Sequence, residues 1–375
     1  MLAKSLLLAL SPSLLALASP LQIPSHIDLV PRTESGFKPK HGIETVYGSN
    51  NFWFGSFDVG RTKNLTLLID TGSADVILNS GLYKKGPHAV DTNQTFENHY
   101  GSTNSDGSGT GVVTGRLYND TVKFGSLSAR QTIGVADPQA DGSNLIPADG
   151  IIGFAGEEVS AFHGATPFFQ SLCNQRKVPE CRFGITLGCN RGTQVLGRLD
   201  KSLFQGELTT TSIVQEWVIF ADLAFNGKPF KKDVLVELDT GTGTIIAPPG
   251  EVVSVFEELK IQYFIHKSGD VTTVNGYFPC DQPPNFGISI PSLSNATAAA
   301  KADSKLVSHK SSIFNIARDQ WVAEDNGNNN CTAIISGTSE ITYPGLWVIG
   351  QPFFHGHYID HNVADSTVGF ATARI

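Results

Sequence analysis

One pattern occurs twice in this chain and restricts its possible folds more than any other feature. It reads LLIDTGSADVIL at residues 67–78 and VELDTGTGTIIAPP at residues 236–249. Each copy is an apolar segment ending in Asp-Thr-Gly, followed by a small hydroxyl-bearing residue and a second apolar segment. An ionised carboxylate at the end of a buried strand is costly unless a partner stabilises it. Any fold for this chain must therefore supply partners for Asp70 and Asp239.

A second repeated signal follows each copy at a distance. Two aliphatic residues and a glycine occur at residues 151–153 and again at residues 348–350. The separation of the two copies is far too long for a short solenoid repeat. We therefore predict an N-terminal lobe at residues 41–211 and a C-terminal lobe at residues 212–375, each carrying one Asp.

Strand-like patterns dominate after about His41. Alternating apolar and polar residues recur between turns, and the chain contains 38 glycines and 19 prolines, a composition that favours short strands. Apolar residues three and four positions apart predict helices best at residues 166–175 and 251–260. With a hydrophobic content of 40%, the chain can bury a substantial core. We predict a mainly β fold.

Two aspartates brought together can perform chemistry that a single turn residue cannot. One Asp-Thr-Gly is ordinarily a β-turn in which Asp accepts bonds from backbone amides, but two copies in matching flanks indicate a shared role. Two adjacent carboxyl groups do not both ionise cheaply, so one keeps its proton. The charged group can take a proton from water while the protonated group donates to a carbonyl oxygen. Such a pair can hydrolyse an amide without a metal.

These motifs resemble those of the pepsin family of aspartic proteases. The two Asp-Thr-Gly segments, ADGIIGFA at 148–155 and LWVIGQPFFHGHYIDHNVADSTVGFA at 346–371 are similar to family signatures, over nearly all of the chain after residue 41. The resemblance implies a bilobal pepsin-like fold, with two pseudo-twofold-related β lobes and a cleft between them. It also implies a secreted endopeptidase that cleaves polypeptides at acidic pH and binds pepstatin-like inhibitors. We expect a preference for bulky apolar residues at the scissile bond.

The resemblance assigns roles to particular residues. Asp70 and Asp239 are implied to be the catalytic pair. The turns are implied to supply threonines that brace the lobes, glycines that shape the turns, and hydroxyl groups beside the carboxylates. These supporting residues are Thr71, Gly72, Ser73, Thr240, Gly241 and Thr242. Gly243 stands where the family usually has Ser or Thr, so one outer hydrogen bond is expected to be lost.

The segment expected to cover the cleft departs further from the family, whose members carry a tyrosine, usually before glycine, on a hairpin flap. Tyr100-Gly101 matches that pair. Counting back from Thr114-Gly115 places a glycine or a serine there instead. Either the flap is longer and begins at Tyr100, which we favour, or the tyrosine is lost and Tyr100 is an ordinary strand aromatic. Ile77 replaces the tryptophan that usually hydrogen-bonds this tyrosine, so flap anchoring is expected to differ.

The N-terminus has the features of a secretory signal. Lys4 precedes an apolar run, and Ala16-Leu17-Ala18 predicts a signal peptide at residues 1–18. Residues 19–40 then form a short propeptide or a disordered leader. The resemblance makes Lys38 and Lys40 candidates for blocking the cleft before activation, and ordinary surface lysines are an equal alternative. Secretion is the expected destination, with the vacuole as an alternative.

Cysteines and sequons fit an oxidising compartment. Five cysteines predict two disulfides and one free thiol. Cys173 and Cys181 lie close in sequence, and Cys280 with Cys331 resembles the second-lobe disulfide of the family, which leaves Cys189 free. Five N-x-S/T sequons are candidate glycosylation sites. They are Asn64, Asn93, Asn119, Asn295 and Asn330.

Charge and composition argue against several classes of partner. The net charge is −8 without a basic cluster, which disfavours nucleic acid, and no second apolar stretch is long enough for a membrane. We expect no metal, no cofactor and a monomer. Two alternatives remain for function. One is an inactive binding or inhibitor protein on the same fold, and the other is a glycosidase, which also uses two carboxylates.

Overall fold

The computed structural model describes most of the chain after the predicted leader. The described residues are 43–49 (backbone only), 52–100, 111–138, 148–188, 191–291, 311–341 and 343–374. Several sequence predictions fall outside them. These are the signal peptide, the leader with Lys38 and Lys40, Gly101, Cys189 and Asn295.

Strands make up most of the described structure, so the predicted mainly β fold is confirmed. Those of the first half are β1 (Ile43–Ser49), β2 (Phe52–Val59), β3 (Thr62–Asp70), β4 (Val76–Leu78), β5 (Val90–Tyr100), β6 (Gly111–Phe124), β7 (Leu127–Ala136), β8 (Gly150–Gly153), β9 (Arg182–Leu187) and β10 (Arg191–Leu196). The strands of the second half are β11 (Phe204–Gln215), β12 (Val218–Phe225), β13 (Lys228–Leu238), β14 (Ile245–Ala247), β15 (Gln262–Ser268), β16 (Val271–Phe278), β17 (Phe286–Pro291), β18 (Ser311–Asn315), β19 (Val322–Asp325), β20 (Cys331–Thr338), β21 (Leu346–Ile349), β22 (His357–Asn362) and β23 (Thr367–Ala373).

The α-helices are few and short, as the sequence predicts. They are α1 (Phe168–Asn174), α2 (Pro249–Leu259) and α3 (Gln351–Phe354). In α2 the first position is Pro249, which lacks the amide hydrogen that would go unused there. Val252, Val255, Phe256 and Leu259 then form one buried face at helical spacing. No helix of the described part has the length and apolar character needed to span a bilayer.

The two Asp-Thr-Gly segments occupy equivalent places in the two halves. In the first half β8 runs parallel to β3, with Asp70 opposite Gly153, and antiparallel to β4. In the second half β21 runs parallel to β13, with Leu238 opposite Ile349, and antiparallel to β14. The repeated aliphatic-aliphatic-Gly segments of the sequence are therefore the strands that support the two aspartate turns.

A shared sheet joins the halves. β22 pairs with β9, and β23 pairs with both β22 and β11. β11 also pairs with β12 of the second sheet, so the proposed lobe boundary at 211/212 falls inside a strand common to both. The Trp217 indole donates to the carbonyl oxygen of Phe154 across the halves at 3.0 Å. The fold therefore holds the two turns at one place in the molecule.

Both disulfides predicted from the sequence are present in the structure. Cys173 bonds to Cys181 near α1, and Cys280 bonds to Cys331 between β16 and β20. Among the described sequon asparagines, three have exposed side chains: Asn64, Asn93 and Asn330. The fourth, Asn119, is partly buried, and its side-chain oxygen accepts a hydrogen bond from Thr132.

Candidate active site

Asp70 lies at the end of β3 and is completely buried, with 0% of its surface exposed. The Gly72 amide donates to one carboxyl oxygen at 2.8 Å, and the Ser73 hydroxyl donates to the other at 2.5 Å. The turn therefore supplies from its own residues the partners that a buried carboxylate needs. The Asp70 carbonyl in turn accepts from the Phe154 amide, which fixes the turn against the residues after β8.

Asp239 directly follows β13 and has the same set of partners. The Gly241 amide donates to one oxygen at 2.6 Å, and the Thr242 hydroxyl donates to the other at 2.5 Å. Asp239 is also buried. The two copies of the sequence repeat are thus two copies of one hydrogen-bonded turn.

The threonines of the two turns cross-link the halves. The Thr71 amide donates to the Thr240 hydroxyl at 3.0 Å, and the Thr240 amide donates to the Thr71 hydroxyl at 2.9 Å. Each hydroxyl also donates at 2.7 Å to a carbonyl of the opposite strand, Thr71 to Leu238 and Thr240 to Ile69. Each turn is thereby positioned by the other.

The two carboxyl groups face each other across the glycines. A methyl group added to Gly72 would lie 2.6 Å from the Asp239 carboxyl, and one added to Gly241 would lie 2.3 Å from an Asp70 carboxyl oxygen. The glycines are required because they let each turn approach the opposite carboxyl group. The structure therefore brings together both aspartates and all six predicted supporting residues.

Burial, together with the charge and hydrogen bond of Asp239, raises the pKa of Asp70 well above its ordinary value. The Ser73 and Gly72 donors offset this rise only in part. Asp70 therefore retains a proton under conditions in which an exposed aspartate is ionised. The pair can consequently present one acid and one base at a single position.

Tyr100 lies at the end of β5, where the β5–β6 hairpin reaches the edge of the described residues. It is buried, and the charges of Asp70 and Asp75 act on its hydroxyl, which together with burial raises the pKa of Tyr100. Its hydroxyl oxygen accepts a hydrogen bond from the Asn98 side-chain amide at 3.1 Å. The tyrosine favoured from the sequence is therefore close to the dyad.

Asn98 was not identified from the sequence. Ile77 cannot donate a hydrogen bond and packs in the same apolar cluster as Tyr100, whereas Asn98, on the same strand as Tyr100, supplies a donor to its hydroxyl. Asn98 and Tyr100 share one face of β5 because side chains alternate along a strand. An asparagine two residues before the tyrosine is the signal that could have identified it.

Asp75 is a second residue that sequence reasoning missed. Its carboxyl group accepts hydrogen bonds from the Ser160 hydroxyl at 2.6 Å and the Ala161 amide at 2.7 Å. Burial is the main cause that raises the pKa of Asp75 to about 6. These hydrogen bonds connect the segment after β8, at Ser160 and Ala161, to the chain just after the first aspartate turn.

The described residues contain a single group of three metal-type ligands, and its chemistry does not suit a metal. The group consists of Cys280, Asp325 and Cys331. The two sulfur atoms are joined in a disulfide, whereas a cysteine ligand has to be a thiolate. This group therefore offers no thiolate to a metal ion.

Comparisons with known proteins agree with this geometry. The family model "Eukaryotic aspartyl protease" matches residues 52–373. Secreted aspartyl protease 1 of Malassezia globosa is 27% identical over 332 residues, covering 86% of this chain and 74% of that protein. Pepsin A of Sus scrofa is 27% identical over 342 residues, covering 85% and 80%.

A solved structure shows the same fold. The crystal structure of aspartic proteinase from Irpex lacteus matches with a TM-score of 0.68 and 18% identity, covering 88% of this chain and 97% of that one. The two-lobed arrangement expected from the sequence is thus confirmed. The family match covers most of the chain, and the members of this family are proteases, which hydrolyse peptide bonds. This chain therefore belongs to the eukaryotic aspartyl protease family and is a pepsin-like aspartic endopeptidase.

Proposed function

We propose that Asp70 and Asp239 form the catalytic dyad of a secreted endopeptidase active at acidic pH. The observation that carries the proposal is the pair of matched turns, in which two buried carboxyl groups approach each other across Gly72 and Gly241. A substrate peptide lies in the cleft as an extended strand, bonded through its main chain. Polypeptides are the substrates, and pepstatin-like inhibitors occupy the same place.

The proposed reaction uses a water molecule held between the two carboxyl groups. Asp239, as the carboxylate, takes a proton from this water while the water oxygen attacks the peptide carbonyl carbon. Asp70 donates its proton to the carbonyl oxygen, which gives a neutral tetrahedral diol. Asp239, now protonated, then donates its proton to the leaving nitrogen while Asp70 takes a proton from a hydroxyl of the diol, so that the C–N bond breaks, an amine and a carboxylic acid are released and both groups return to their starting states.

An acidic optimum follows from the requirement for one shared proton. The pKa of Asp70 is raised mainly by burial and by Asp239, so Asp70 serves as the acid until rising pH removes its proton. Above that pH both groups carry charge and no acid remains. Activity is therefore lost toward higher pH.

Apolar surroundings support a preference for bulky apolar residues at the scissile bond. Two of the smaller apolar clusters apart from the main core include residues near the aspartate turns, one in each half. The first contains Leu68, Ile77 and Tyr100, and the second contains Leu235 and Val348. Such surfaces exclude water from the reacting groups, and the surface of the first half, around Leu68, fits bulky apolar side chains. Tyr100, on the flap, contributes to this enclosure, followed by Gly101.

Secretion is proposed from the N-terminal sequence and from relatives named as secreted. Residues 1–18 are the proposed signal peptide, and residues 19–40 are removed on activation, with Lys38 or Lys40 set against the dyad beforehand. The exposed asparagines Asn64, Asn93 and Asn330 are the best-placed glycosylation sites. The mature enzyme is a monomer, and the vacuole is the alternative destination.

Casein digestion by the full chain and by Asp70→Asn tests the proposal. We expect the asparagine variant to lose activity by roughly 10³-fold, because it can neither carry the dyad proton nor give it up. Asp270→Asn, at an exposed turn, is the matched control and keeps full activity. Full activity in Asp70→Asn would refute the dyad. An inert wild-type chain that binds no pepstatin-like inhibitor would instead indicate a binding protein on this fold.

A further inference from the structure

A third carboxyl group lies beside the dyad without a role in the chemistry. Glu237 precedes Asp239 by two residues on β13, and 9% of its surface is exposed. At the equivalent position of the first repeat the chain has Leu68, which is also buried. The fold itself therefore accepts an apolar residue at this place and does not require the acid.

Glu237 faces the same side of the sheet as Asp239. Val236 and Leu238 belong to the main core, whereas Leu235, Val218 and Val348 belong to the separate apolar cluster. Val218 on β12 and Val348 on β21 stand directly beside Glu237 in the two neighbouring strands. Because side chains alternate along a strand, Glu237 projects into this apolar surface next to the catalytic turn.

This carboxyl group lacks the partners that a buried acid normally has. Among the described residues, no hydrogen bond or ion pair is made to the Glu237 carboxyl group, and the groups whose charge acts on it are Asp239, Glu216 and Asp70. All three are acids. Burying a carboxyl group without a donor or a cation is unfavourable. A positively charged ligand would supply what the protein does not.

Glu216 adds a second acid to the same place. It lies at the bend between β11 and β12, with a backbone φ of 47°. Among the described residues, the hydrogen bond to its side chain is a long one of 3.4 Å, from Gln215. Glu216 and Glu237 thus form an acidic pair, bordered by Val218 and Leu235.

We propose that Glu237 and Glu216 form a subsite that binds a lysine or arginine side chain of the substrate, within two residues of the scissile bond. The proposal rests on the endopeptidase function proposed above. Residues two apart on a strand are separated by about 7 Å, and an extended peptide advances by about 3.3 Å per residue. The side chain that reaches Glu237 therefore belongs to a residue next to the bond at Asp239, or to the one beyond it.

The surroundings fit the shape of such a side chain. The methylene stem of lysine packs on the apolar surface of Leu235 and Val218, and its ammonium group donates to the Glu237 carboxylate. The neighbours of Glu237 across the strands, Val218 and Val348, are uncharged. The charged groups facing it are the three acids Asp70, Glu216 and Asp239, so the electrostatic field selects a cation.

Matched peptides test this subsite. We would measure kcat/KM for peptides that carry lysine or norleucine, an uncharged residue of the same length, at each of the two positions on either side of the scissile bond. At one of these positions the wild type is expected to prefer lysine by about tenfold, the effect of one charge-assisted hydrogen bond. Glu237→Gln and Glu237→Leu should reduce that ratio to about one, and Glu216→Gln should lower it in part.

The ratio of kcat/KM for the lysine peptide to that for the norleucine peptide should also depend on pH. Burial, Asp239, Glu216 and Asp70 raise the pKa of Glu237, so the acid is neutral at the low end of the active range and ionises as pH rises. The preference for lysine should therefore grow with pH in the wild type and stay flat in Glu237→Gln. A purely structural role for Glu237 would alter both peptides equally and leave the ratio unchanged.

Controls separate failure of the subsite from failure of the function. Glu258→Gln, an exposed acid of α2 in the same half, should keep the wild-type ratio. A wild-type chain that cleaves both peptides equally well, or a ratio that survives Glu237→Leu, would overturn the subsite alone. A wild-type chain that cleaves no peptide at all would overturn the proposed endopeptidase together with it.

Discussion

At the scale of single residues, the hydroxyl of Tyr100 shows how a neighbour sets the direction of a hydrogen bond. The Asn98 amide donates to the phenol oxygen, so the hydroxyl hydrogen of Tyr100 is left to donate elsewhere. Both side chains are buried, with 4% of Asn98 and 8% of Tyr100 exposed. Removing the donor would leave the phenol less fixed beside Asp70.

We predict that Asn98→Leu lowers kcat/KM by about tenfold, the usual cost of losing a partner from a buried polar group. The decisive measurement is a double-mutant cycle with Tyr100→Phe. If Asn98 acts through the phenol, Asn98→Leu should cause no further loss in the Tyr100→Phe background. His99→Leu, at a partly exposed residue on the opposite face of the same strand, is the control and should be near wild type. Equal losses in both backgrounds would contradict the prediction.

At the scale of elements, the two aspartate turns were the most predictable part of the molecule. Asp-Thr-Gly and the following hydroxyl residue lie within four consecutive positions, so the bonds inside each turn are local and repeat in the sequence. β8 and β21 could be recognised in the sequence only as short repeated segments. Their positions in the sheets could not be predicted, because their strand partners are remote in sequence. The roles of Asn98, Asp75 and Glu237 depend on which strands become neighbours, and the sequence alone does not specify that.

The turn glycines lead to a prediction at this scale. Gly241→Ala places a methyl group 2.3 Å from an Asp70 carboxyl oxygen, so one turn must move away from the other. We expect kcat to fall by about 10²-fold, as for an ångström-scale misplacement of reacting groups. Gly250→Ala is the matched control, because its added methyl group meets nothing within 4 Å. Wild-type activity in Gly241→Ala would contradict the close approach of the two turns.

At the scale of the whole molecule, buried titratable groups connect stability to pH in both directions. Asp75 has a pKa raised to about 6 and Glu216 one raised to about 7, both mainly by burial. Their contributions to stability are present at low pH and are lost as pH rises through these values. His361 has a pKa lowered to about 3, also by burial. Its contribution is present above about 6.5, the ordinary pKa of histidine, and decreases as pH falls toward 3.

His361 provides the prediction for acidic conditions. Its ring stacks on Phe183 with centroids 4.5 Å apart and meets Trp217 edge to face, where β22 joins β9. We expect His361→Phe to keep this stacking and to remove the penalty of protonation, on the order of 1.4 kcal/mol per pH unit below the ordinary pKa. The melting temperature of the variant should therefore exceed that of the wild type in acid, with a smaller difference near neutrality. His266→Phe, at an exposed position, should show no such pH-dependent gain.

The crossed threonine bonds also have a consequence for how the chain reaches its active form. Thr71 and Thr240 are 169 positions apart, so the contact between them closes a long loop and carries the entropy cost of doing so. Until both halves have folded and met, the threonine amide of each turn lacks its acceptor, which is the hydroxyl of the other threonine. The carbonyl oxygens of Ile69 and Leu238 likewise lack the hydroxyl donors that the opposite turn provides. A nascent or half-folded chain therefore holds two aspartates but no dyad. Under the proposed function, proteolytic activity therefore requires that the two halves have met, and an incompletely folded copy lacks it.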